Sequence, residues 1–210
     1  MNMLDDTGER IIPKQMQASN RMLLEHMARY SFACPYASGK VLDIACGTGY
    51  GAHMVTKTRK NFIDSSLGID VDPKTVEYAQ KQYYHPLLSF EQGDLLDPEL
   101  SGRIGTFDTI ISFETIEHTA DDYLCLTQLH RLLKPGGTLV ISTPFGRGRG
   151  FPSNESFHFH QLTENEWAGL ITDSKWKWQK AQLFYQLGVA IERPRREEVH
   201  YPLGIAVCRK

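Results

Sequence analysis

The chain has 210 residues, 41% of them apolar and 23% charged, with a formal net charge of −2. That composition suits one globular domain with a small appendage and excludes a disordered or fibrous chain. The near-neutral balance gives no global attraction to nucleic acid or to an anionic membrane.

The opening MNMLDDTGER is polar and acidic, unlike a signal peptide. No apolar run approaches the roughly 18 residues of a membrane span. Cys34, Cys46, Cys125 and Cys208 are scattered and form no Cys-x-x-Cys pair, which argues against a disulfide framework or a cysteine zinc site. The expected location is cytoplasmic, with no membrane partner.

Residues 20–32 read as a helix ahead of the first strand, placed to lie over the open edge of a ligand site. Residues 1–39 are therefore expected to form an N-terminal helical cap and residues 40–210 the main domain. From Lys40 onward, short β-branched apolar runs alternate with longer helical patterns, the mark of β-α-β units and a parallel sheet. Strands are expected at 41–44, 66–71, 88–91, 107–113 and 138–143. Helices are expected from about Tyr50, over 73–83 behind Pro73, and over 121–133, the last stopped and turned by Lys134-Pro135-Gly136-Gly137. A helix over 164–171 and two late strands, 178–186 and 204–209, complete the chain. No helical pattern separates those two strands, so they should pair as a hairpin.

The fold class expected is α/β: a Rossmann-like three-layer sandwich whose seven-stranded, mostly parallel sheet carries one antiparallel strand in a C-terminal hairpin. Trp167, Trp176 and Trp178 fall in or beside secondary structure, where core packing explains them. The mixed-sign run Arg193-Pro-Arg-Arg-Glu-Glu198 reads as a surface turn between the last two strands.

The stretch Asp43-Ile-Ala-Cys-Gly47-Thr-Gly49-Tyr-Gly51 sits between the first strand and its helix. Glycines there let the backbone approach a ligand beside the free N–H groups of a helix start. The spacing is Gly-x-Gly-x-Gly, which departs from the Gly-x-Gly-x-x-Gly fingerprint of a dinucleotide pyrophosphate. Asp70 closes the second strand about 20 residues on, suited to two ribose hydroxyls. Asp94 follows the third strand, where a carboxylate can accept from an adenine amine.

The segments VLDIACGTGYG, LGIDVD, FEQGDLL, FDTIISFETIEH and LLKPGGTLVISTP, in this order, resemble the successive motifs of class I methyltransferases dependent on S-adenosyl-L-methionine (SAM). The resemblance covers residues 41–144 and implies SAM as cofactor. It implies that Gly47, Thr48 and Gly49 pack against the methionine part and that Asp70 holds the ribose, with Asp43, Ala45 and Val71 also in the cofactor-binding set. Asp94 and Leu95 would frame the adenine, and Ser112 and Phe113 would flank the methionine end. Ala45 stands where the family often has glycine; one added methyl should be tolerated.

Phe113-Glu-Thr-Ile-Glu-His118 carries the candidate chemistry. If it turns helically, Glu114, Glu117 and His118 share one face, and a further ligand can come from Ser156-Phe-His158-Phe-His160. The pattern is similar to the metal site of small-RNA 3′-terminal 2′-O-methyltransferases and to a run in ubiquinone-biosynthesis O-methyltransferases. Aligned on Thr163, the matching histidine is His158 rather than His160. Three readings stand open: a divalent metal such as Mg held by Glu114, Glu117, His118 and His158; catalysis by His118, His158 and Glu117 without metal; or residues that only line a pocket.

Substrate choice should lie in the additions to the sheet. Thr7-Gly-Glu-Arg10 and Glu25-His-Met-Ala-Arg29-Tyr resemble N-termini of bacterial methyltransferases of glycan and secondary-metabolite pathways. Tyr30 and Phe32 are expected to cover the cofactor. Arg147 and Arg149, in a loop spanning 144–154, offer forks suited to phosphate or carboxylate. The expected function is O-methylation of a small hydroxyl-bearing metabolite or sugar. The alternatives are 2′-O-methylation of an RNA terminus, N-methylation, or a SAM-binding partner without catalysis. A small-molecule acceptor is the expected partner; the charge disfavours nucleic acid.

Overall fold

The computed structural model describes residues 4, 10–153 and 158–210. Eight strands form one sheet: β1 (Gly39–Ile44), β2 (Ile63–Asp70), β3 (Leu88–Gln92), β4 (Phe107–Phe113), β5 (Leu133–Pro144), β6 (Lys180–Leu187), β7 (Ala190–Glu192) and β8 (Leu203–Arg209). Their order is β3-β2-β1-β4-β5-β8-β6-β7. The first five pair in parallel, β8 lies antiparallel between β5 and β6, and β7 folds back along β6.

Six helices cover both faces: α1 (Arg21–Ala33), α2 (Tyr50–Thr58), α3 (Pro73–Gln82), α4 (Leu100–Ile104), α5 (Asp122–Leu132) and α6 (Glu164–Thr172). Their starts are chemically specified. Asn20, Asp72 and Asp121 each accept an amide two or three residues on, and Thr163 forms a reciprocal capping box with Glu166.

The strands look continuously apolar because each face is buried by a different set of helices. Leu42, Ile44, Ile110, Leu139 and Ile141 point into a core shared with Leu126, Leu129, Trp167 and Leu170. Their alternates Val41, Ile111, Val140, Ile205 and Val207 point the other way, against Tyr30, Ala33 and Val55. The period of two thus splits one apolar run between two cores. Trp167 is fully buried, and Trp176 and Trp178 donate to the carbonyls of Leu170 and Ile171.

Three expectations need correction. The sheet has eight strands rather than seven, and two of them, β7 and β8, run against the parallel set. β7 is three residues long behind a two-residue turn at Gly188, whose φ is 59°; so short a run carries no periodic signal. Lys134 to Gly137 do stop α5, but they then belong to β5. They bulge between the Phe107–Leu133 and Thr109–Thr138 pairs, and Gly136 and Gly137 are bonded to Lys210. Finally, α4 had no expected counterpart. Residues 7–9 and 154–157, including Ser156, lie outside the described residues. No helix among the described residues is long and apolar enough to cross a membrane.

α1 packs on α2 most tightly where Tyr30 lies over Gly51. A Cβ added to Gly51 would lie 2.0 Å from Tyr30 Cζ, so the ring occupies the space a side chain would take. Helix propensity alone would make Gly51→Ala stabilising by about 1 kcal/mol; overpacking at about 1–3 kcal/mol decides the sign instead. Urea unfolding should show a lower midpoint at unchanged slope. A higher midpoint would mean that Tyr30 moves aside freely.

Candidate active site

At the carboxyl ends of β1 and β4, where the strand order reverses, lies a cavity of about 500 Å³. This is the topological switch point of an open α/β sheet, the usual ligand position. Its floor is the turn from β1 to α2. Ala45, Gly47 and Gly49 adopt left-handed conformations, with φ of 58°, 54° and 83°. The turn is held by Cys46 N–H donating to Ile69 O (2.8 Å) and by Thr48 Oγ donating to Ile11 O (2.7 Å).

The glycines divide the labour. A Cβ at Gly47 would meet nothing within 4 Å, so that backbone faces open space. At Gly49 a Cβ would fall 2.6 Å from the Phe90 ring and 2.8 Å from Ala79 Cβ, inside the core. Ala45, Gly47 and Thr48 of the expected set line the cavity, whereas Gly49 supports it from behind.

Asp43 is buried and accepts from Tyr30 Oη at 3.1 Å. Burial pushes its carboxyl up to about 7, with Asp70 adding to the rise and the Tyr30 and Ala52 donors opposing it. It steadies α1 on the sheet and does not line the cavity.

Asp70 does line it. Oδ2 accepts from Gly47 N–H at 2.9 Å and Oδ1 from Asp72 N–H at 3.0 Å. Each oxygen keeps a second lone pair, enough for two hydroxyls. Burial raises its pKa and the two amides lower it. Val71 is exposed and off the cavity wall. Asp94 is exposed, with Oδ1 accepting from Leu96 N–H, and Leu95 sits in the core, so neither lines the main cavity. Phe113 lines it, edge-on to Tyr30 at 5.0 Å, while Ser112 is wholly buried beneath, its hydroxyl without a partner among the described residues.

After β4 the expected four-ligand cluster divides. Glu114 takes a left-handed φ of 48° and the helical turn is a short 3-10 segment, Ile116–His118. The one-face arrangement therefore does not form. Glu114 instead receives His26 Nε2 at 2.6 Å and a short bond from Arg29, both from α1. Burial opposes its ionisation, but His26 and Arg29 outweigh that and hold the carboxyl at about 2. With both contacts made to α1, Glu114 stands apart from the other three candidate ligands.

Glu117, His118 and His158 do converge, with one ligand atom from each within 4.8 Å of the others. The imidazole rings meet edge to face at 4.7 Å, Gln161 bonds Nδ1 of His158 at 3.1 Å, and Thr143 Oγ donates to the buried Glu117 at 3.1 Å. His160 lies apart, buried 3.6 Å from Asp122.

His26, Arg29, Tyr50 and Gln161 were not anticipated. The first two carry a legible signal, since they share with Tyr30 the i, i+3, i+4 face of α1 that meets the sheet. Tyr50 lines the cavity with a buried hydroxyl that has no partner among the described residues. Phe32 packs against Tyr36 and Phe184, away from the site where it was expected.

Two outcomes test this geometry. Asp43, raised from 3.8 to about 7, binds a proton in the folded state that the unfolded chain has released. Its contribution is complete below the unfolded pKa and is lost as pH rises through the folded one. Unliganded protein should lose up to about 1.4 kcal/mol per pH unit across that window, and Asp43→Asn should flatten the slope in urea titrations. Gly49→Val should lower stability by about 2 kcal/mol or more through strain and overpacking, read as a lower unfolding midpoint. A variant of parental stability that had lost only ligand binding would instead put Gly49 against the ligand.

A family model described as a methyltransferase domain matches residues 37–187. The chain is 31% identical over 170 residues to a probable S-adenosylmethionine-dependent methyltransferase of Mycolicibacterium smegmatis, covering 79% of this chain and 62% of that one. It thus spans less than two thirds of that relative's length. A ubiquinone biosynthesis O-methyltransferase of Cereibacter sphaeroides is 28% identical over 109 residues, 52% of this chain and 42% of the other. Among solved structures, a methyltransferase of Haloferax volcanii in complex with the Trm112 activator superposes with a TM-score of 0.69 at 19% identity, covering 88% and 89% of the two chains. The matched segment contains the β1–α2 turn, Asp70 and the Glu117–His118 corner, and the chain belongs to the SAM-dependent methyltransferase family.

Proposed function

We propose that this protein transfers the methyl group of SAM to a hydroxyl oxygen of a small molecule, with His118 or His158 accepting the hydroxyl proton. The single observation that carries this is the convergence of Glu117, His118 and His158 on the same cavity that the bare Gly47 backbone floors. Cofactor and acceptor would then meet inside one enclosure, where alignment lowers the barrier to displacement.

In this reading the turn from Ala45 to Thr48 would hold the methionine part of SAM and Asp70 its ribose hydroxyls. The Tyr50 hydroxyl, buried in the cavity wall, would offer a donor to the bound ligand. When bound, SAM would supply the methyl carbon to the acceptor oxygen, the carbon–sulfur electron pair remaining on sulfur in S-adenosylhomocysteine. The released proton moves to an imidazole, and the Glu117 carboxylate stabilises the imidazolium that forms. α1 acts as the cap, pinned by Tyr30 to Asp43 and by His26 and Arg29 to Glu114. The name of the Cereibacter relative supports an oxygen acceptor. The net charge of −2 supports a small acceptor over an RNA terminus.

One observation favours a second reading. Two imidazoles and a carboxylate with ligand atoms within 4.8 Å make a set for a divalent cation. Its nitrogen content suits manganese, iron or zinc better than the all-oxygen preference of Mg. When bound, such an ion would lower the pKa of an acceptor hydroxyl.

Radiolabelled SAM offered with a panel of sugars and phenols separates these readings. His118→Ala or His158→Ala should cut kcat by about 10²–10⁴-fold while calorimetric affinity for S-adenosylhomocysteine stays parental. Turnover surviving exhaustive EDTA leaves the imidazole base; turnover lost to EDTA and restored by manganese leaves the metal. Full activity in the double histidine variant would sink both.

A further inference from the structure

Beside the main cavity opens a second of about 190 Å³, whose lining includes Arg147, Phe151, Pro152 and Gln161. Gln161 lines both cavities, and it is the side chain bonded to His158. The two spaces therefore share one wall at the candidate catalytic corner.

The loop that carries Arg147 is firmly tied. Gly146 N–H donates to Leu162 O and Gly148 N–H to Gln161 O, each at 2.9 Å, and Arg149 N–H donates to the Glu166 carboxylate at 3.1 Å. The glycines are there because the chain runs so close. A Cβ at Gly146 would lie 2.5 Å from Gln161 Cβ, and one at Gly148, whose φ is 101°, 2.7 Å from Glu166 Oε2.

The two arginines of this loop have opposite fates. Arg149 is spent on structure: its Nε and Nη2 bond Asp122 Oδ2 at 2.8 and 2.5 Å, and that aspartate side chain is only 6% exposed. Arg147 is exposed between the two tied glycines. One of its nitrogens donates to Pro152 O at 2.8 Å, and its guanidinium lies 6.0 Å from the centre of the Phe151 ring. Its charge meets no carboxylate among the described residues. Phe151 itself is 55% exposed, an aromatic face open to solvent. A guanidinium tied to Pro152 O, uncompensated among the described residues and beside an aromatic wall, is suited to an anion attached to a ring.

We infer that the methyl acceptor carries an anionic group, a phosphate or a carboxylate, which Arg147 holds in the side cavity while the acceptor hydroxyl reaches past Gln161 to His118 and His158. This deepens the methyl-transfer reading and rests on it for the placement of the hydroxyl.

Calorimetric titrations with phenyl phosphate, benzoate and neutral phenol test it, run on the full chain with and without S-adenosylhomocysteine. At least one anion should bind more tightly than phenol, and the tighter of the two names the group. Arg147→Gln should weaken that anion about tenfold or more and Arg147→Lys less, with affinity for S-adenosylhomocysteine unchanged in both. Anion binding that depends on Arg147 in a protein that takes up no S-adenosylhomocysteine would support the anion site and sink the methyl-transfer reading. Anions that bind no better than phenol, or equally well to Arg147→Gln, would overturn the inference.

Discussion

The structure depends on how the backbone leaves β1. Three residues at alternate positions, Ala45, Gly47 and Gly49, turn left-handed, and the chain crosses the sheet end showing peptide groups rather than side chains to the cavity. Left-handed geometry disfavours most L-residues, so this turn persists because neighbours over-determine it. Asp70 holds Gly47 from β2, Ile69 holds Cys46, and the N-terminal segment holds Thr48. Each of those bonds also fixes one wall of the cavity. Ala45 carries a methyl in a conformation that glycine adopts more readily, so some strain sits at the cavity floor, and strained residues tend to collect at functional sites.

The second organising feature is electrostatic. Arg29 is almost wholly buried, which is tolerable only because Glu114 and Gln186 both accept from it. Glu114 in turn adopts its left-handed φ to reach α1. One carboxylate thus joins the end of β4, the N-terminal helix and, through Arg29, the strand β6. The same commitment explains why the acid and histidine cluster holds three residues rather than four. Glu114 already accepts from His26 and Arg29, so the converging set is Glu117, His118 and His158 without it.

The loop after β5 repeats this division between support and supply. Arg149 neutralises buried Asp122 and fixes the loop, which frees Arg147 to face outward. Residues alike in type and two apart in sequence therefore differ in role, because only one lies within reach of a buried acid. Gln161 joins the two neighbourhoods, touching His158 on one side and the Arg147 cavity on the other.

The sequence alone determined what depends on local periodicity and chain order. The parallel strands, their crossover helices other than α4, the terminal antiparallel pair and the glycine turn after β1 were legible, since apolar alternation, caps and glycines act over a few residues. The convergence of His158 on Glu117 and His118 was legible only through the family resemblance, aligned on Thr163. Tertiary structure decided the rest. Nothing local to Glu114 says that its partners lie on a helix about 85 residues earlier, and nothing local to Gly49 says that it faces Phe90 rather than a ligand. β7 needed the edge of β6 to form on. Charge pairing and close packing join residues far apart in the chain, and their outcome is set only once the sheet has brought those residues within a few ångströms of one another.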